Sequence, residues 1–253
     1  MDNFDILSMV DWGMLEKAIA SNAYKTAEPF PHIVIDNVFN PQALEKILEL
    51  WPLSKIKEVE LHDDGVFTRA KRTTAVDTEL PFEIDHFLHQ LGRPKFLKFL
   101  EELTGIGGLI SDPYFFGGGL HETSSGGKLA VHLDYNKHFK FKLDRRLNLL
   151  VYLNKNWNES SGGFLELWDS SMTQCVKKIL PIFNRMVIFS TNSISYHGQP
   201  EPITCNPDVS RKSIALYYYS NGRPEEVHVI ESDEDQGQEH TTCLLYTSDA
   251  ADE

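Results

Sequence analysis

Cysteine is scarce in this chain. Its 253 residues include only Cys175, Cys205 and Cys243, too few and too scattered for a disulfide framework or a zinc ribbon. Basic residues are also in deficit, with 24 Lys and Arg against 37 Asp and Glu and a formal charge of −13. A nucleic-acid surface needs a basic stripe, so no nucleic-acid partner is expected. No apolar run reaches the length of a membrane span, and no membrane partner is expected either. The opening "MDNFDILSMVDWGML" is acidic where a secretory leader is basic, which leads us to expect a cytoplasmic protein. A G-x-S-x-G elbow is missing, and Gly117–Gly119 is not followed by Lys-Ser/Thr and a helix. Serine-hydrolase and phosphate-loop chemistry are therefore not indicated. There is no internal repeat.

What is present suits a globular enzyme-sized domain. Hydrophobic residues make up 41% and charged residues 24%, enough for a substantial core. The first third reads as largely helical. "MVDWGMLEKAIA" (9–20) has helical spacing, "HIVIDNVF" (32–39) reads as a short strand, and Asn40 and Pro41 form a cap and first turn for "NPQALEKILEL". "PFEIDHFLHQLGRPKFLKFLEELTG" (81–105) predicts two helices split at Gly92–Pro94. From about Gly107 the pattern changes to short strands between glycine-rich turns: "PYFFGGGLHET", "KLAVHLD", "LNLLVYLN", "GFLELWD", "VKKILPIF", "RMVIFS", "KSIALYYYS" and "EEVHVI". That spacing suggests an antiparallel sandwich or barrel. We expect a helical part over 1–106 packed on a β core over 107–230, and an acidic tail over 231–242. The last stretch, 243–253, reads as an in-frame translation of a sequencing adapter, as in a shotgun metagenomic sequence, and is set aside.

The stretch "VHLDYNKHFKF" (131–141) raises the chemical question. Side chains at i and i+2 of a strand share a face, so His132 and Asp134 project together. A His-x-Asp pair and one distant His make a facial triad suited to non-haem Fe(II), with coordination positions left open. His62–Asp63–Asp64 has the same spacing, but its Asp-Gly turn chemistry and helical flanks place it on the surface. His197 in "SISYHGQP" is the candidate third ligand. In "SRKSIALYYYS", Arg211 and Ser213 share a face with Ala215, Tyr217 and Tyr219. Inside a barrel that pair would be costly to bury unless it met an anion such as a carboxylate. Asn148 and Tyr152 likewise share a face of "LNLLVYLN", opposite Leu147, Leu149, Val151 and Leu153. The basic run Lys137, Lys140, Lys142, Arg145 and Arg146 reads as a solvated edge; its functional alternative is a pocket mouth that attracts an anionic substrate. His121 and His138 read as loop or core histidines, and Trp157 and Trp168 as packing aromatics.

Taken in order, "HLD", "YLNKNW", "GGFLELWD", "YHGQP" and "RKS" resemble the Fe(II)- and 2-oxoglutarate-dependent oxygenases, in particular their prolyl-hydroxylase-like branch. The similarity covers roughly 117–221 and extends more weakly from "PHIVIDNVFNPQALEKIL" onward. It implies a double-stranded β-helix, or jelly roll, that is mainly β with N-terminal helices packed on one sheet. His132, Asp134 and His197 would be the iron ligands. Arg211 would hold the distal carboxylate of 2-oxoglutarate, assisted by Tyr152, Ser213 and Asn148, and Leu165 would pack on the cosubstrate. Fe(II), 2-oxoglutarate and O2 are the implied reactants, with ascorbate as an accessory reductant and succinate and CO2 as products. Hydroxylation of a peptidyl-prolyl or other residue, or of a small metabolite, is the implied activity. Prolyl hydroxylases often carry a further cosubstrate tyrosine before the His-x-Asp; here "LHETSSGGK" has none, leaving that place between His121 and Thr123. Substrate contacts are expected on 62–80 and 135–146. The alternatives are a zinc hydrolase on the same ligands and a non-catalytic β-barrel binding module.

Overall fold

The computed structural model describes residues 5–51, 59–76, 78–138 and 140–223. The expected strand at 225–230, the acidic tail and the adapter-like end lie outside the described residues. No helix among the described residues is long and apolar enough to cross a membrane.

Among the described residues six α-helices, α1 (Ile6–Met9), α2 (Trp12–Ser21), α3 (Ala23–Thr26), α4 (Pro41–Glu49), α5 (Phe82–Gln90) and α6 (Pro94–Thr104), lie in the first part of the chain. Local chemistry sets their ends. The Asn40 side chain accepts a hydrogen bond from Gln42 N at 2.9 Å and Pro41 opens α4, satisfying a donor the helix leaves orphaned. Pro94 opens α6, and Gly105 closes it at φ 78° with its N–H on Glu101 O, a left-handed cap that favours glycine. Phe96, Phe99, Leu100 and Leu103 then recur at i, i+3, i+4 and i+7 and are buried.

The strands are β1 (His32–Asp36), β2 (Val59–His62), β3 (Thr68–Thr74), β4 (Ile110–Ser111), β5 (Gly119–His132), β6 (Asp144–Tyr152), β7 (Leu165–Trp168), β8 (Cys175–Ile179), β9 (Arg185–Ser190), β10 (His197–Gln199) and β11 (Ser210–Ser220). They form one sheet in the order β1-β9-β6-β11-β5-β10-β7-β8, with β3 on β5, β2 on β3 and β4 on β11. β5 pairs with β11 over 119–124 and with β10 over 129–132, so one long strand serves two halves of the sheet. The sheet curls on itself. Phe30, Tyr152, Val187 and Phe189 from one half pack on Leu165, Leu167 and Ile179 from the other. This is the double-stranded β-helix implied by the sequence motifs.

Alternation divides the strands cleanly. Leu147, Leu149 and Val151 of β6, Met186 and Ile188 of β9, and Ile214, Leu216 and Tyr218 of β11 pack against the helices in the main core. The intervening side chains, including Asn148, Ser213 and Tyr217, face the interior of the curled sheet.

Three expectations change. The stretch around His62–Asp63–Asp64 is a β-hairpin, not a turn between helices, and its second strand joins the sheet through β5. Asp64 does make the turn, accepting hydrogen bonds from the backbone N–H groups of Val66, Phe67 and Thr68. "GGGLHET" and "KLAVHLD" belong to one strand, because Gly126–Gly127 lets β5 run on rather than reverse. The basic run is not a solvated face throughout: Arg145 and Arg146 are buried.

Candidate metal centre and its cavity

His132 ends β5 and His197 begins β10, and the two are direct cross-strand partners. Their ring centroids lie 4.6 Å apart. Gly198 permits this pairing, since a Cβ there would stand 2.7 Å from the Ala130 carbonyl oxygen. Asp134, two residues beyond β5's last pairing histidine, turns its carboxylate between the rings. Oδ1 is 3.6 Å from His132 Nε2 and Oδ2 is 3.4 Å from His197 Nε2. All three groups are buried, and their ligating atoms lie within 4.8 Å of one another.

The tautomers follow from the backbone. His132 Nδ1 is 2.8 Å from Ala130 O and His197 Nδ1 is 2.9 Å from Ser195 O. A carbonyl only accepts, so each Nδ1 carries the proton and each Nε2 turns a lone pair towards the cluster. Burial, followed by the neighbouring His197, lowers the pKa of His132 and favours its neutral, ligating form. Burial would raise Asp134, but Arg145 and then His197 hold it well below the usual carboxylate range. Two imidazoles that aim Nε2 at the cluster and one ionised carboxylate converging on a point, with their other atoms hydrogen-bonded, fit a divalent transition metal.

Asp134 is held firmly. Its Oδ2 accepts from Arg145 Nη2 at 2.9 Å and from Asn148 Nδ2 at 2.6 Å. Arg145 also donates through Nε and Nη2 to Asn148 Oδ1 at 2.9 and 2.7 Å, and Thr191 Oγ1 donates to the same oxygen at 3.1 Å. Strict alternation puts Arg145 with Leu147 on the helix side. A bulge between Tyr218 and Tyr219 pairs Tyr219 with Arg145 and Tyr218 with Leu147, which turns Arg145 inward. A one-residue slip of this kind reverses the facing of every earlier residue, and no local signal in "DRRLNLL" announces it.

The triad lies in the wall of a cavity that Arg211, Ser213, Leu165 and Asn148 also line. Arg211 donates from Nε to Gly163 O at 2.8 Å and from Nη2 to the Tyr152 hydroxyl at 3.3 Å. Its guanidinium lies 4.9 Å from the centroid of that tyrosine ring. Burial raises the Tyr152 pKa, keeping the phenol protonated. Asn148, expected among the cosubstrate contacts, lines this cavity and also bonds Asp134. Lys71, from β3, and His121 and Thr123, from β5, complete one side of the cavity. Sequence reasoning placed substrate contacts within 62–80 but did not single out Lys71, because β3 reads "TRAKRTT", polar on both faces, and so lacks the hydrophobic alternation by which strands are recognised. Burial lowers the Lys71 ammonium to about 8, Asp134 partly opposing the shift.

Comparison with known proteins agrees with this geometry. Residues 118–219 match the family model of the 2OG-Fe(II) oxygenase superfamily. A prolyl 3-hydroxylase of Mus musculus is 32% identical over 79 residues, 30% of this chain and 14% of that protein; the match thus spans about a seventh of the relative. A prolyl hydroxylase from Trichoplax adhaerens, solved with a peptide fragment of the hypoxia-inducible factor oxygen degradation domain, superposes with a TM-score of 0.58. It is 18% identical, over 83% of this chain and 93% of that one. A Pseudomonas putida prolyl-4-hydroxylase gives 0.57 at 15% identity, over 83% of this chain and all (100%) of that one. At these identities the structural likeness speaks for the fold.

Proposed function

From the match of residues 118–219 to the family model of the 2OG-Fe(II) oxygenase superfamily, we propose that this protein is an Fe(II)- and 2-oxoglutarate-dependent dioxygenase that hydroxylates a C–H bond of an organic or peptide substrate. The observation that carries this reading is the convergence of His132 Nε2, His197 Nε2 and the Asp134 carboxylate in one buried cluster, in a cavity that Arg211 also lines.

His132, Asp134 and His197 would hold the iron. Bound there, iron supplies with O2 and 2-oxoglutarate the oxidising chemistry that hydroxylates the substrate and leaves succinate and CO2. The protein's own residues do the positioning. Arg211 would take the distal carboxylate of 2-oxoglutarate, because a guanidinium fork matches a carboxylate and the Gly163 and Tyr152 contacts fix its plane. Ser213, two residues along the same strand face and lining the same cavity, offers a further hydroxyl. Leu150, Leu165 and Phe189 line the space between and keep it apolar, which strengthens each charged contact within. Arg145 and Asn148 act through Asp134, keeping its carboxylate ionised and oriented.

The substrate class is a peptidyl-prolyl residue, another amino-acid residue or a small metabolite, the first in keeping with the prolyl 3-hydroxylase that is similar over 79 residues. A direct test is succinate release from 2-oxoglutarate under air, with Fe(II) and ascorbate. We expect slow uncoupled release by the wild type and none by His132→Ala. Release that persists in His132→Ala, or that zinc supports as well as iron, would contradict the reading.

A further inference from the structure

His121 lines the cavity beside the metal centre, yet neither the triad nor the Arg211 contacts use it. It stands in the middle of a row across three strands, Ser213↔His121↔Thr73. The neighbouring row is Arg211↔Thr123↔Lys71, which β3 reaches through a register shift between Arg69 and Lys71. The His121 side chain is more than nine-tenths buried. Its Nε2 has no hydrogen-bond partner among the described residues.

The proton on this ring can be placed. His121 bonds the backbone of Gly117, and the bond raises its pKa, as donation by the ring to a carbonyl does. Since Nε2 has no partner, the donor is Nδ1, and Nδ1 carries the proton. The same carbonyl accepts from the Tyr217 hydroxyl at 2.8 Å, so both its lone pairs are engaged and the ring is fixed. Burial, and then the charge of Lys71, holds the His121 pKa well below 6.5. The ring is therefore neutral, and Nε2 is a lone pair.

A lone pair only accepts, and this sorts the molecules that share the cavity. 2-Oxoglutarate at neutral pH offers carboxylates and a ketone, all acceptors, and cannot bond Nε2. An ammonium is disfavoured, because Lys71 and Arg211 both act on the ring with positive charge. What fits is an uncharged N–H or O–H.

We propose that His121 is a specificity-determining residue whose Nε2 accepts a hydrogen bond from an uncharged donor on the prime substrate. In a peptidyl-prolyl substrate that donor is the amide N–H following the proline, which has none of its own. The inference rests on the dioxygenase reading. It leaves to the cosubstrate Arg211 and its cross-strand partner Thr123, whose hydroxyl can donate to a carboxylate.

The test uses the full chain loaded with 2-oxoglutarate and Zn(II), a diamagnetic substitute for iron, with the histidine ring nitrogens isotopically labelled. The resonance of His121 Nε2, assigned by its loss in His121→Gln, reports whether that atom is protonated, bare or hydrogen-bonded. The probes are N-acetyl-proline methylamide, which has an amide N–H, and N-acetyl-proline dimethylamide, which has none. We expect an unprotonated, bare Nε2 that 2-oxoglutarate leaves unmoved. The methylamide should shift it in the hydrogen-bonded direction, and the dimethylamide should not. The methylamide should also bind about threefold to tenfold more tightly, as one neutral hydrogen bond gives. His121→Phe should remove that preference, and His121→Gln, which keeps an acceptor, should retain it. A protonated Nε2, or no response to the methylamide, would overturn the proposal. So would a hydrogen-bonded Nε2 with 2-oxoglutarate alone, which would assign the atom to the cosubstrate or an ordered water. Failure of the wild type to form an Fe(II)–2-oxoglutarate complex would instead refute the dioxygenase reading, and this proposal with it.

Discussion

Arg145 is sandwiched between two tyrosines, its guanidinium carbon 3.4 Å from the Tyr217 ring centroid and 4.7 Å from that of Tyr135. Burial works against its charge, but Asp134 together with Tyr217, Tyr135 and Tyr219 more than offsets this, and its pKa is raised. Removing such a partner leaves a buried carboxylate uncompensated, which costs about 3–5 kcal/mol. Arg145→Met should therefore unfold at lower denaturant than the wild type. It should also bind Fe(II) about 10–100-fold more weakly, the usual effect of losing a group that orients a ligand. Arg145→Lys should not restore binding, because a single ammonium cannot bond Asp134 and Asn148 as the fork does. Equilibrium unfolding and metal titration would check both; wild-type iron affinity in Arg145→Met would show that Asp134 needs no such support.

At the scale of elements, the metal centre depends on how closely β10 lies on β5. A methyl group at residue 198 would push against the Ala130 carbonyl and carbon at 2.7 and 2.9 Å, both backbone atoms that cannot swing away. Gly198→Ala should therefore separate His197 from His132 and weaken iron binding, and overpacking of this kind should cost about 1–3 kcal/mol of stability. A melting curve and a metal titration on one sample would decide it; unchanged values in both would mean that β10 has room to move. Much of this architecture is legible in the sequence where one signal acts alone. Asn40–Pro41 and Pro94 with Gly105 fix helix ends through local hydrogen bonds, and the alternation in β6 and β11 follows from one face being buried against helices. The β2–β3 hairpin is not legible, because β3 turns polar side chains into a cavity and so lacks an apolar face. The continuity of β5 is hidden too. Gly127 looks like a turn residue, yet a Cβ there would meet Arg69 O at 2.9 Å, so it serves the close approach of β3.

Across the whole molecule, several histidines are buried in their neutral form. His32, His121, His132 and His138 all have pKa values lowered from 6.5, with burial the leading cause in each. Below 6.5 the unfolded chain takes up protons that the folded chain refuses, so stability rises with pH through this window and is lost on acidification. The metal-free protein should thus melt at steadily lower temperature as the pH is taken from 6.5 towards 5, and His121→Gln should flatten part of that slope. A flat profile would mean that these rings protonate without cost. The triad was legible because His-x-Asp, a later His and an Arg-x-Ser strand stand in a recognisable order. Arg145 and Lys71 were not, since strand irregularities, invisible to periodicity, turn both towards the site. The central claim is that one buried cluster binds iron and the neighbouring arginine binds 2-oxoglutarate. Its most direct test is an anaerobic titration with Fe(II) and 2-oxoglutarate, watching for the visible metal-to-ligand charge-transfer band. The band should form in the wild type, vanish in His132→Ala, and require about tenfold or more extra 2-oxoglutarate in Arg211→Ala, for the loss of a charge-assisted pair. A folded, iron-loaded wild type that shows no band would contradict the claim.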